Sequence, residues 1–208
     1  MSRTVEVFAD ICCPFTHVGL RLLTAHLGDG RSDVDLVVRA WPLEWVNGVP
    51  LEAEATAAKI VALRQHVAPD LFTGFRVDRW PDTSIPALNL SAAGYDRDGG
   101  TGLQVSLALR DALFEQGEDV GDASVLADIA RRFDLPVPTA QPTPQVIADY
   151  EAGQERDVTG SPHFWIDGED FFCPSLDIGR DEAGQLTAEF DQAGLARILS
   201  ALPPHTTS

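Results

Sequence analysis

Ala9-Asp10-Ile11-Cys12-Cys13-Pro14-Phe15-Thr16-His17-Val18-Gly19 is the stretch whose reading decides the fold. It joins a strand-like run, Thr4-Val5-Glu6-Val7-Phe8, to a helical pattern through Leu20, Leu23 and Leu27. Pro14 suits the first helical position, where its missing N–H costs nothing and its fixed φ matches the helix. Cys13 then takes the N-cap, facing unpaired N–H groups and the positive end of the helix dipole. A thiolate is favoured there, so the Cys13 thiol is expected to acidify and to gain reactivity. One turn along stands Thr16, not a second cysteine.

Outward from this joint the pattern is strand, helix, strand. Thr4 to Ala9 alternates and reads as a central strand buried on both faces. Pro14 to Leu27 reads as a helix stopped at Gly28-Asp29-Gly30. Asp33 to Trp41, with Val34, Leu36, Val37 and Val38, is a second strand ended by Pro42. That spacing makes a βαβ unit with parallel strands.

The following block, residues 51–139, carries no alternating strand pattern. Leu51 to Val67 reads as a helix, Phe72 to Pro86 as a structured loop and Ala87 to Tyr95 as a short helix. Asp96-Arg97-Asp98-Gly99-Gly100 is a polar break. Leu103 to Phe114 and a segment N-capped by Asp122, running through Phe133, are further helices. Beyond a proline-rich connector, Thr143 and Pro144 open a helix to about Arg156. Asp167-Gly168 between aromatic runs signals a hairpin of His163–Ile166 with Asp170–Cys173. A last helix is expected over Leu186 to Leu199. The order βαβ, helices, αββα defines an α/β chain: a thioredoxin-like fold with an all-helical insertion between its two halves. Residues 1–50 and 140–203 form the thioredoxin-like part, 51–139 the insertion and 204–208 a tail.

Composition bounds the function. The net charge of −17, with Lys59 the only lysine, disfavours nucleic-acid and acidic membrane partners and promotes solubility. No apolar run reaches membrane-spanning length, and the start has no signal-peptide pattern, so a cytoplasmic setting is expected. Three cysteines argue against a purely structural disulfide framework. Cys12 and Cys13 are adjacent and Cys173 is alone, so no metal set is expected.

Three motifs then carry a resemblance. Cys13-Pro14-Phe15-Thr16-His17-Val18-Gly19 resembles the C-P-W-C-x-x-G signature of the DsbA family. Val158-Thr159-Gly160-Ser161-Pro162-His163-Phe164 resembles that family's G-x-P-x-F element with its cis proline. Leu107 to Gly117, with Asp119-Val120, resembles the insert helix and its turn. The likeness leans to the cytoplasmic branch grouped with 2-hydroxychromene-2-carboxylate isomerases and kappa-class glutathione transferases.

The resemblance implies a thiol–disulfide oxidoreductase with Cys13 as nucleophile, and Pro14, Phe15, Ser161 and Pro162 lining the site. The family's second cysteine falls on Thr16, which cannot resolve a mixed disulfide but can donate a hydrogen bond to a thiolate. Resolution then belongs to an external small thiol, such as glutathione or mycothiol, or to Cys173, which a hairpin at Asp167-Gly168 places opposite Pro162. A buried structural role for Cys173 stands beside that reading, and Cys12 is read as structural. No tightly bound cofactor is expected; partners are a small thiol or disulfide, or a protein disulfide, and a homodimer is left open. His17, in the first turn, could lower the Cys13 pKa if protonated but is expected to be exposed, and His163 to point either into the cleft or along the strand. Trp41, Trp45 and Trp80 are packing residues or cleft walls. Two other functions remain open: a thiol-dependent isomerase or transferase, although that branch commonly has Ser at the position of Cys13, and a redox-inactive binding protein.

Overall fold

A computed structural model describes residues 2–28, 33–184 and 186–202. The tail at 204–208, and positions 29–30 of the first turn signal, lie outside the described residues. Strand β1, Arg3–Ala9, is followed by helix α1, Pro14–Leu27, and strand β2, Val34–Ala40. α1 covers the expected residues and ends at Gly28, whose φ of 67° is open to glycine without a Cβ penalty. β1 and β2 pair in parallel, with Val5 beside Leu36 and Val7 beside Val38.

Helices α2, Leu43–Asn47, and α3, Ala53–His66, come next, then a single 3-10 turn at Val77–Arg79. Helices α4, Ile85–Arg97, α5, Gly99–Phe114, and α6, Ala123–Arg132, complete the helical stretch. Helix α7, Pro144–Glu155, leads to the hairpin of β3, His163–Ile166, and β4, Glu169–Phe172. A second hairpin, β5, Leu176–Arg180, with β6, Leu186–Phe190, precedes helix α8, Gln192–Ala201.

The main sheet has the order β2-β1-β3-β4, with β3 antiparallel to both neighbours. β1 is therefore internal. Its Val5, Val7 and Ala9 pack with Leu20 and Leu23 of α1 and with Leu195 and Ile198 of α8. Its other face puts Phe8 against Trp41 and Val158. Burying side chains of this size contributes about 1.5–3 kcal/mol each, which clamps α1 to the sheet and fixes where its N-terminus lies. Glu6, the one charged residue inside β1, is held by Arg39 and Arg156.

Four local expectations need correction. The break at 96–100 shrinks to Asp98, whose carboxylate caps α5 through the Thr101 N–H. Pro86 belongs to the first turn of α4, a position that tolerates proline. β4 lies one residue earlier than expected, so Cys173 falls just past it. Leu186–Phe190 is a strand and not the start of the last helix. Leu186, Ala188 and Phe190 fit a two-residue period, but Leu186 and Phe190 also stand four apart, as on a helix. Asp191 ends the ambiguity by capping α8 through the Gly194 N–H. The five-residue α2, closed by Gly48 at φ 74°, carries too little periodicity to be read from sequence.

Candidate active site

The loop Asp10–Cys13 leaves the C-terminal end of β1 and turns into α1. Cys13 is the extended N-cap, with φ −83° and ψ 113°, and no side chain caps the helix there. Pro14 has no N–H, so Phe15 and Thr16 carry the first-turn N–H groups nearest the sulfur. Cys13 is almost wholly enclosed, at 3% exposure. Its one side-chain hydrogen bond runs from Sγ to the carbonyl of Ser161, at 3.0 Å. The sulfur is the donor, so this bond exists only while the thiol keeps its proton.

Ser161 and Pro162 are joined by a cis peptide bond, as the motif led us to expect. The turn is stitched to the cysteine loop at three points: Cys13 Sγ on the Ser161 carbonyl, Asp10 N–H on Ser161 Oγ at 3.0 Å, and Thr16 Oγ1 2.8 Å from Ser161 Oγ. The Thr16 hydroxyl is thus turned to Ser161 and not to Cys13, which corrects the expected thiolate contact. Ser161 already accepts the Asp10 N–H and lies across from the helix, so it competes successfully for the threonine. Pro14 is buried, and Phe15 is half-buried beneath Lys59, whose Nζ lies 5.9 Å from the ring centre.

Cys173 lies opposite Pro162, as the hairpin register predicts, with its N–H donating to the Pro162 carbonyl at 2.9 Å. It adopts φ 43°, an unusual region for a residue with a Cβ. Burial, and secondarily Cys13 itself, push its thiol up to about 12. All three cysteines are free and buried. Burial also drives the Cys12 thiol well above its ordinary range, which fits a structural role.

Sequence reasoning missed the groups behind the loop. The Asp10 carboxylate is buried and accepts from the Cys12 N–H at 2.8 Å, the Leu43 N–H at 2.7 Å and the Ser84 hydroxyl at 3.0 Å. Burial raises its pKa, against the pull of those donors. Arg110 of α5 donates from Nη2 to the Asp10 carbonyl at 3.1 Å. Asp10 was inside the decisive stretch and Arg110 inside the insert-helix motif. Their spacing of 100 residues left no local pattern to connect them.

His17 is buried, at 1% exposure, which corrects the expectation of an exposed residue. Its Nε2 lies 2.8 Å from Glu115 Oε1, between the rings of Phe72 and Phe114. Glu115 also takes the N–H groups of Phe72 and Thr73 and the Thr73 hydroxyl. Although burial opposes it, those donors and His17 hold the carboxyl down at about 2. Burial lowers the His17 pKa, so the imidazole is neutral at neutral pH and donates from Nε2. His163 runs along the sheet, with Nε2 3.0 Å from Asp170 Oδ2 and Nδ1 accepting the Thr159 N–H. Trp41 packs on Phe8 and Tyr150, Trp45 on Tyr150, and Trp80 on Phe75 and Phe114. Among the described residues, no three His, Cys, Asp or Glu side chains gather into a metal site.

A cysteine at a helix N-cap position, set against a cis-proline turn at the end of a central strand, is the arrangement of a thioredoxin-like domain. Comparison with known families is more specific: the DSBA-like thioredoxin domain matches residues 4–180, and the chain belongs to that family. No curated protein matches it. Among solved structures it resembles a probable DsbA oxidoreductase from Streptomyces coelicolor, at 18% identity and TM-score 0.63, covering 99% of this chain and 94% of that one. It also resembles a 2-hydroxychromene-2-carboxylate isomerase, at 14% identity and TM-score 0.61, covering 81% and 88%. A third similar structure is the cytosolic disulfide reductase DsbM from Pseudomonas aeruginosa, at 11% identity and TM-score 0.60, covering 95% and 97%. At these identities the likeness is one of fold. Among the described residues, no helix is long and apolar enough to cross a membrane.

Proposed function

We propose that this protein is a monothiol thiol–disulfide oxidoreductase, acting in the cytoplasm, with Cys13 as its nucleophile. The observation that carries the reading is the placement of Cys13 Sγ at the N-cap of α1, 3.0 Å from the carbonyl of the cis-proline turn. The Cys13 thiolate attacks one sulfur of a small-molecule disulfide, forming a Cys13 mixed disulfide and releasing the other half as thiolate. A second small thiol, of the glutathione or mycothiol kind, then attacks the mixed disulfide. It regenerates Cys13 and leaves as a new disulfide, so sulfur, protons and electrons balance. Thr16 cannot take that second step. Cys173, with its thiol held up at about 12, supplies very little thiolate for it at neutral pH. The enclosure of Cys13 favours small thiols and disulfides over a folded protein's disulfide.

One observation favours a second reading. The paired hydroxyls of Thr16 and Ser161 sit beside the cysteine without a second thiol one turn along. Such a site suits a thiol-dependent isomerase or transferase, in which an added thiol is activated for attack on an electrophile. Turnover assays separate the two. Reduction of a small mixed disulfide by reduced thiol, lost in Cys13→Ser, supports the oxidoreductase. Conversion of an electrophile with added thiol, and none of a disulfide, supports the other enzyme. Neither activity, with cellular function intact in Cys13→Ser, supports a redox-inactive binding protein.

A further inference from the structure

Helix α5 drives a guanidinium into the underside of the Asp10–Cys13 loop. Arg110 is 0% exposed, the largest fully enclosed side chain among the described residues. Its Nη1 donates to the carbonyl and hydroxyl of Ser106, at 3.0 and 2.6 Å, and its Nη2 to the Asp10 carbonyl at 3.1 Å. Its Nε is buried with no partner. That Asp10 carbonyl also receives the Cys13 N–H, at 3.4 Å. The Asp10 carboxylate faces elsewhere, toward Cys12 N–H, Leu43 N–H and Ser84, so Arg110 hydrogen-bonds the aspartate's backbone and not its acid.

Enclosing a cation this way is costly, and its three neutral acceptors are supplemented by attraction to the buried Asp10 carboxylate and, after it, to Cys13. A large apolar side chain would fill the same space more cheaply. Asp10 balances part of that charge, and the shared Asp10 carbonyl puts Cys13 beside the same guanidinium, where a thiolate would be attracted as well. We infer that Arg110 is the positioning residue for Cys13: it holds the loop through the Asp10 carbonyl and supplies the positive potential that favours the thiolate. This rests on the reading of Cys13 as the reactive thiol. Burial pulls the Arg110 pKa down to about 10, which leaves it charged at neutral pH.

The charged and titratable groups around Cys13 come from every element packed there. They are Asp10 and Cys12 on the loop, His17 of α1 with its partner Glu115, Arg110 on α5 and Cys173 past β4; Tyr95 of α4 acts on Arg110, and Glu44 of α2 acts on Cys12. Arg110 is the cation of this set; the others are neutral or acidic.

The test is the pH profile of iodoacetamide alkylation at Cys13, in a parent carrying Cys12→Ser and Cys173→Ser. Arg110→Met should move the alkylation midpoint up by about one pH unit and slow the reaction about tenfold at pH 7, as expected for losing an opposite charge nearby. Arg110→Lys should restore most of the rate, and Asp10→Asn should move the midpoint down. A folded Arg110→Met protein with the parental midpoint overturns the inference. Should Arg110→Met fail to fold, Arg110→Gln, which can still donate to the Asp10 carbonyl without the charge, takes its place, and a parental midpoint there overturns the inference. A parent in which Cys13 never alkylates overturns the oxidoreductase reading as well. A reactive parent whose midpoint ignores both charges overturns the role of Arg110 alone.

Discussion

The first turn of α1 has two buried polar flanks, and they are built differently. On one side His17 meets Glu115, a carboxylate saturated by an imidazole, two backbone N–H groups and a hydroxyl. On the other side Cys13 meets the Ser161 carbonyl through one sulfur donor, and the neighbouring hydroxyls bond each other. The Glu115 side ties α1 to the end of α5 and to the loop at Phe72, and leaves its charge nothing further to do. The Ser161 side leaves its sulfur with one bond, which vanishes with the proton. Position on the same helix turn does not decide the role. The partners around each group differ: Glu115 is fully engaged, though His17 Nδ1 is buried without a hydrogen-bond partner, while Cys13 keeps a single bond that the proposed chemistry would break.

The largest expected effect lies on the Cys13 side. Cys13→Ser should reduce disulfide turnover to background while leaving the thermal midpoint within a few degrees of the parent, as activity assays and a melting curve will show. Equal loss of stability and activity would erase the contrast between the flanks.

On the fixed side, Glu115→Ala strands the buried His17 ring and the Phe72 N–H, while the exposed Thr73 turns to water. Urea titration should show a loss of about 3 kcal/mol. The pH dependence has a definite sign. Both pKa values are depressed in the folded protein, so the unfolded chain binds more protons as the solution is acidified. Stability should fall as pH drops below the ordinary histidine value of 6.5, through His17. It should fall again between 4.5 and about 2, through Glu115. Glu115→Gln should flatten that lower limb in acid-unfolding curves.

Smaller effects sharpen the comparison. Thr16→Val removes one partner of Ser161 Oγ and should cost about 1 kcal/mol in the same titration, with Cys13 still able to accept a thiol adduct. Smallest of all is Cys173→Ala: turnover with an external small thiol should stay within about twofold of the parent, since that cysteine supplies little thiolate at neutral pH.

Much of this was legible in the sequence because it was local. Pro14 after Cys13 marks a helix start, and α1 covers the expected residues. Asp167-Gly168, with φ values of 51° and 88°, turns the hairpin as the dipeptide predicts and brings Cys173 to Pro162. Thr143 and Asp122 cap the helices they were expected to cap. What stayed hidden depends on distant pairings. Thr16 was matched with Cys13 because they are one turn apart, but its partner Ser161 arrives from across the sheet. His17 looked exposed in the first turn until α5 delivered Glu115. The β5–β6 hairpin was hidden by a spacing that serves two periods at once. Arg110 looked like an ordinary helix residue because nothing nearby says what its guanidinium will meet.

The central claim is that Cys13 forms a mixed disulfide that no cysteine of this chain resolves. Intact-mass measurement of the native protein after incubation with oxidised glutathione, followed by fragmentation, tests it directly. The account predicts one added glutathione, on Cys13, that persists until a reduced small thiol is supplied. Loss of two hydrogens with no adduct, and a Cys13–Cys173 bond in the fragments, would contradict it.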